Sequence, residues 1–424
     1  MQLIKRIALC FLTTCFLPLV LVGHPLPTAA PQEVGLSGKK LSDTVSAMQK
    51  LVDEQRIAGG VVVVARRGKV AQFEPCGMMD IKDQKPMTQD TIFRIYSMSK
   101  PITSVAAMIL YEEGKIRLDD PVHEYIPQFK GLKVVADPDA EEVTTVPGER
   151  GMTVRDLMRH TSGLTYGIFG NTNVDKLYRK SIQLSAGGET LQSMTEKLAT
   201  LPLLYQPGTK WHYSVSTDVL GRVVEVASGQ SLDKFFAERI FGPLGMEDTA
   251  FYVPQEKIQR FATNYGPNPG GGLRPIDKAQ TSQYGKTPSF LSGGGGLVST
   301  ASDYMRFCLM LLNKGKLGDT RLLKAETVEM MTKNQLPEQA FPIGSGDRAG
   351  VGFGLGFSVC VERRNAASAS KVGEYGWGGM ASTHFWISPD DEVAVVVLTQ
   401  YIPYSDRAER AVKPIVYDAI LDGA

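Results

Sequence analysis

The sequence predicts a mixed α/β fold of the α+β type: one antiparallel sheet built from both ends of the chain, flanked by helices, with a mostly helical region inserted between them. Two observations carry this expectation. Strand-like runs cluster near the two ends, and the strong signals between them are helical. A length of 424 residues, 43% of them hydrophobic, is enough to bury a substantial core. The expected boundaries are a sheet part over about residues 31–96 and 293–424 and a helical part over about residues 97–292.

The first residues read differently from the rest. Lys5 and Arg6 precede an apolar stretch over residues 7–22, interrupted by Thr13, Thr14 and Pro18 and followed by a polar, proline-rich segment. This is the form of a secretory signal over residues 1–30, because the apolar run is below the ~20 residues that a spanning helix needs. The expectation is an exported chain, periplasmic or secreted, with a mature domain over residues 31–424 and no stable membrane span. Thr28-Ala29-Ala30 offers small residues for cleavage but is followed by Pro31, so the cut is not fixed. Neither Cys10 nor Cys15 sits in a lipobox. Without them the cysteines are Cys76, Cys308 and Cys360, an odd number with no C-x-x-C, read here as small buried hydrophobes.

Helical spacing over residues 41–52 is followed by the apolar run 60–65, which reads as a buried strand. A turn at Arg67-Gly68 leads to a second strand over residues 69–74. Helices are expected over residues 97–113, stopped by Gly114, then 153–159, 190–201, 216–227, stopped by Gly229, and 232–240. Strands return over residues 354–361, 381–387 and 393–400, the last two joined by a turn over residues 388–391. A final helix over residues 405–421 carries Pro414 as a kink. A formal net charge of +1 leaves no global field to attract nucleic acid or an anionic membrane, so the expected partner is a small molecule.

Chemistry concentrates at three places. In Ser97-Met98-Ser99-Lys100 an amine three residues beyond a hydroxyl shares its helix face and can assist it as a nucleophile. The pattern S-x-x-K also occurs at Ser37, Ser231 and Ser368, so alone it says little. The Ser97 copy differs in following a strand-like run, residues 91–96, and opening an apolar helix with Ile102, Val105, Ala106 and Ile109 at helical spacing. There the helix dipole and free N–H groups favour negative charge. A plain N-cap with a solvated Lys100 fits the local sequence equally well. Trp211-His212-Tyr213-Ser214 places a phenol in a loop before the helix at Ser216; beside an ammonium it is easier to ionise and can relay a proton, whereas the common fate of such a Tyr is a core hydrogen bond. Gly376-Trp377-Gly378-Gly379-Met380 leads into a strand, where glycines allow a ligand close approach and a following N–H can complete an oxyanion hole; a plain bulge is the alternative.

Together these stretches, with Arg155-Asp156-Leu157-Met158-Arg159-His160-Thr161-Ser162-Gly163-Leu164 and Tyr205-Gln206-Pro207-Gly208-Thr209, resemble the serine β-lactamase and penicillin-binding-protein superfamily over about residues 33–420. The likeness is greatest to class C β-lactamases and the family VIII carboxylesterases that share their fold. It implies a β-lactamase/transpeptidase-like architecture and an acyl-enzyme on Ser97, with Lys100 as its proton partner and Tyr213 as the base. It also implies an oxyanion hole from the N–H groups of Ser97 and Met380, with Trp377, Gly378 and Gly379 contacting substrate.

Two departures bear on substrate. Tyr213-Ser214-Val215 stands where class C enzymes carry Tyr-x-Asn, and Trp377-Gly378-Gly379 where they carry Lys-Thr-Gly. An indole cannot meet a β-lactam carboxylate as that lysine would, and neutral esters lose nothing by the change. The expected activity is hydrolysis of small-molecule carboxylic esters; a class C-like β-lactamase, a D-amino-acid peptidase and a non-catalytic penicillin-recognising module are the rivals. The five histidines, His24, His123, His160, His212 and His384, accompany no G-x-S-x-G elbow, and no H-E-x-x-H or clustered Cys/His spacing implies a metal or other cofactor. Gly293–Gly296 lacks a Walker pattern and reads as a tight turn. The loops over residues 166–185 and 338–350 are candidate pocket walls.

Overall fold

The computed structural model describes residues 25–182, 188–363 and 369–421. Eight antiparallel strands form its main sheet: β1 (Gly59–Arg66), β2 (Lys69–Asp80), β3 (Lys85–Pro86), β4 (Val351–Phe353), β5 (Ser358–Cys360), β6 (Tyr375–Gly379), β7 (Thr383–Ser388) and β8 (Val393–Thr399). Their spatial order is β4-β5-β6-β7-β8-β1-β2-β3. The two ends of the chain therefore meet at the β8–β1 ladder, where Val62 faces Val397 and Val64 faces Val395. The helices that matter here are α1 (Gly38–Asp53), α2 (Ser99–Glu112), α3 (Ser216–Ser228), α4 (Ala301–Leu312) and α5 (Arg407–Asp418). The expected α+β fold, an antiparallel sheet flanked by helices, holds.

Why β1 is uniformly apolar follows from its place. All eight of its residues are buried. Val61, Val63 and Ala65 join the large core that contains α2 and α4, while Val62 and Val64 face α1 and α5 on the other side. A strand covered on both faces has no polar side to alternate with. Helix α2 is likewise buried at every position from Ser99 to Leu110, not along one stripe, because it runs through the middle of the molecule.

Several boundaries differ from the sequence expectation. The strand over 354–361 is instead the hairpin β4–β5: Gly356 at φ +101° turns the chain, and a Cβ at Gly354 would lie 2.1 Å from the Met331 carbonyl. The Trp377-Gly378-Gly379 segment does not precede a strand but is one, β6, and residues 380–382 form the turn into β7. The helix expected over 232–240 is α-helical only over Leu232–Phe236 and continues as a π turn over Ala237–Phe241. Helix α3 ends as expected at Gly229, φ +72°, but Val215 and not Ser216 occupies its N-cap position. The strand-like run at 91–96 forms Ile92–Arg94, paired with Val298–Thr300 outside the main sheet.

Cys76, Cys308 and Cys360 are free thiols and buried. The leader expected over residues 1–30 lies, up to residue 24, outside the described residues. Among the described residues no helix is long and apolar enough to cross a membrane.

Candidate active site

Four copies of S-x-x-K were candidates, and local structure separates them. Ser37 caps α1 by accepting from the Lys40 N–H, and Ser231 occupies the N-cap of Leu232–Phe236; Lys40 and Lys234 are exposed. Ser368 lies outside the described residues. Only at Ser97 is the lysine buried, with Lys100 1% exposed.

Ser97 is held at a strained, anchored junction. The buried Arg94 side chain bonds the Asp277 carboxylate at 2.7 Å and the Ala262 carbonyl at 2.7 Å, fixing the approach. Tyr96 then adopts φ +40°, a conformation that non-glycine residues rarely take, and a single 3₁₀ turn over Tyr96–Met98 runs directly into α2. The sequence expectation began the helix at Ser97; the tighter turn instead sets Ser97 just before it. The Tyr304 hydroxyl bonds the Met98 carbonyl at 2.9 Å and the Leu297 N–H bonds the Ser99 hydroxyl at 3.1 Å, so the helix start is pinned from two sides.

Two side chains converge on the Ser97 hydroxyl, one from its own turn and one from a distant segment. Tyr213 donates to Ser97 Oγ at 2.7 Å, and Lys100 Nζ approaches the same oxygen at 3.3 Å. Lys100 also donates to the Gly294 carbonyl at 2.5 Å and to the Tyr166 hydroxyl at 3.0 Å. Its nitrogen stands 4.7 Å from the centre of the Tyr213 ring. The serine, lysine and tyrosine singled out from sequence are thus brought together.

Burial dominates the electrostatics around this cluster. Burial pushes the Tyr166 phenol well up from 10, and the Asp218 carboxylate beside it adds to the rise. Asp218 is itself raised by burial, against the pull of Lys100, the Ser292 hydroxyl at 2.5 Å and the Gly294 N–H at 3.0 Å. His160 packs its ring 4.9 Å from that of Tyr213; burial, then the charge of Lys100, hold it well below 6.5 and neutral.

Sequence reasoning missed Tyr166, Asp218 and the role of Gly293–Gly296. The glycine run was visible, and its reason is steric: a Cβ at Gly294 would lie 2.6 Å from the Asp218 carboxylate and 2.9 Å from the Tyr166 hydroxyl. No spacing rule links Tyr166 or Asp218 to Ser97, since packing between distant segments brings them in.

Strand β6 forms the facing wall. A Cβ at Gly379 would stand 2.2 Å from the Ile95 carbonyl, so glycine here lets the strand end lie directly on the Ser97 turn, with Met380 next in the chain. Trp377, Gly378, Gly379 and Met380 all line the cleft, of about 1900 Å³, that also holds Ser97 and Tyr213. Ile168 and Phe169 from one candidate loop and Ile343 and Arg348 from the other line it too. Among the described residues no group of three His, Cys, Asp or Glu side chains could hold a metal ion.

An antiparallel sheet whose strand β6 closes on a serine set just before a buried helix defines a serine hydrolase of the penicillin-recognising class. The chain belongs to the beta-lactamase family, whose model matches residues 45–414. It is 34% identical to Protein Rv1367c of Mycobacterium tuberculosis, over 86% of this chain and 90% of that one. It is 28% identical to Esterase EstB of Burkholderia gladioli, over 87% and 93% of the two chains. Among solved structures it resembles EstCE1, described as a hydrolase with promiscuous acyltransferase activity, at 29% identity and a TM-score of 0.76, covering 89% of this chain and 99% of that one.

Proposed function

We propose that the protein hydrolyses neutral carboxylic esters of small molecules through an acyl-enzyme on Ser97. The observation that carries this reading is the pair of contacts on one hydroxyl, Tyr213 at 2.7 Å and a buried Lys100 at 3.3 Å. Ser97 Oγ attacks the ester carbonyl carbon and its proton passes to the Tyr213–Lys100 pair. The tetrahedral oxyanion is stabilised by the N–H groups of Ser97 and Met380. As the carbonyl reforms, the bond to the alcohol oxygen breaks and the pair returns the proton to that oxygen. Water then repeats the sequence: its proton goes to the pair, its oxygen attacks the acyl carbon, and Ser97 leaves with the proton as the acid is released.

Two features support an ester over a β-lactam. Trp377 stands where a carboxylate-binding lysine would be needed, and relatives such as Esterase EstB carry esterase names. The signal-like form of residues 1–30, a basic start followed by a short apolar run, supports the reading that the protein is exported to the periplasm or medium.

The test sets the purified protein and Ser97→Ala against p-nitrophenyl butyrate and a chromogenic cephalosporin in parallel. Ester turnover that vanishes in Ser97→Ala, with weak cephalosporin cleavage, is the expected result. Comparable cephalosporin turnover would make it a β-lactamase, and ester turnover that survives in Ser97→Ala would refute the mechanism.

A further inference from the structure

Resting on that reading, we infer that Phe169 is a specificity-determining residue for the alcohol half of the substrate, and that the alcohol it selects is apolar and ring-bearing. The argument begins with the proton. The leaving oxygen receives it from the Tyr213–Lys100 pair, so that oxygen must come within about 3 Å of the Tyr213 hydroxyl. The oxyanion belongs, on the same reading, to the N–H groups of Ser97 and Met380. The alcohol half therefore lies beside Tyr213, and the acyl half extends elsewhere in the cleft.

What surrounds Tyr213 on its open side is aromatic. The rings of Phe169, Tyr166, Trp377 and Trp211 stand 5.5, 5.4, 5.6 and 6.2 Å from that of Tyr213. Three of these are half-buried and packed against the core. Phe169 differs in being 60% exposed while still packing its edge on Tyr166 at 5.6 Å, so it has a free face turned to the cleft. An exposed large aromatic ring at a cleft mouth is a ready contact for an apolar group.

Its loop is built to present it. Thr165 Oγ1 bonds the buried Asp175 carboxylate at 2.7 Å, and the Gly167 N–H bonds Thr165 Oγ1 at 3.1 Å. The Arg179 guanidinium spans the loop from the Gly167 carbonyl to the Gly170 carbonyl, the latter at 3.0 Å. Gly167 sits at φ +75°, a turn that places residues 168 and 169 over the site. A ring on a fixed loop loses little freedom when a second ring packs against it.

The test uses two ester series. In the first the acyl group is acetyl and the alcohol is methyl, butyl or benzyl; in the second the alcohol is p-nitrophenol and the acid runs from acetate to octanoate. Wild-type kcat/KM should favour benzyl over methyl acetate, and Phe169→Ala should lower that ratio by about tenfold, with Phe169→Leu between them. The relative preference among acids in the second series should keep its shape. A benzyl-to-methyl ratio that does not move in Phe169→Ala, or a change confined to the acid series, would overturn the assignment. Ser97→Ala is assayed beside them: activity surviving there strikes the underlying mechanism, whereas Ser97-dependent activity with an unmoved ratio strikes only the role of Phe169. Phe169 is a surface side chain and Phe169→Leu keeps an apolar group on the loop, so a folded variant remains to decide the question.

Discussion

Two lysines are buried among the described residues, and they live in opposite surroundings. Lys413, on α5 under the sheet, is clamped by carboxylates: Glu374 at 2.8 Å and Glu409 at 2.6 Å, with the Trp386 ring 4.8 Å away. Burial alone would lower its pKa, but Glu409 and Glu374 outweigh burial and push it up, so it is a fixed cation. Lys100, on α2, has no carboxylate at ion-pair distance among the described residues; two hydroxyls and a backbone carbonyl hold it instead. Both are buried amines, yet one is locked by charge and the other is held by neutral groups, one of them the Ser97 hydroxyl. A proton can move only where the partners can exchange it. On the mechanism proposed above, Lys413 serves stability and Lys100 serves chemistry.

Breaking each side of the contrast should give different losses. Lys100→Met should lower ester kcat by about 10⁴-fold while the protein still folds, read by turnover and thermal unfolding on the same sample. Tyr213→Phe keeps the ring stack and removes only the hydroxyl; kcat should fall about 10³-fold with KM much less affected. Lys413→Met should do the reverse, leaving the buried Glu374 and the half-buried Glu409 without their cation and costing about 3 kcal/mol of stability, measured by denaturant unfolding, with far less effect on turnover.

The smallest effect sharpens the comparison through pH. Burial works to raise the Glu409 carboxyl, but Lys413 and then His384 outweigh it and hold it well below its ordinary 4.5. A carboxylate depressed by folding contributes stability above its unfolded pKa, and that contribution is lost as pH falls through the folded value. Lys413 is raised above 10.5, so its share is complete below that pH and is lost only at more alkaline values. The network should therefore stabilise evenly between about pH 6 and about pH 10 and weaken toward acid. The Tm difference between wild type and Glu409→Gln should narrow from about pH 6 to about pH 3, and a difference that widened would contradict this sign.

How much of this could be read in the sequence varies with the range of the interaction. The valine run of β1 was legible because burial on both faces leaves a local mark, and Gly229 because a left-handed helix end does the same. Ser97 and Lys100 were legible as a pair one helix turn apart. The hairpin β4–β5 was not, since its apolar residues read as one strand until the glycines at 354 and 356 are placed against Met331 and in the turn. The aromatic surroundings of Tyr213 were not legible either: Phe169, Trp211 and Trp377 come from three separate segments, and only packing makes them neighbours.

The most direct test of the central claim is to trap the covalent intermediate. The protein mixed with p-nitrophenyl butyrate and acid-quenched within the first turnover should gain one butyryl group, and peptide mapping by mass spectrometry should place it on Ser97. Ser97→Ala treated in the same way should gain none. An adduct on another residue, or one that persists in Ser97→Ala, would contradict the account.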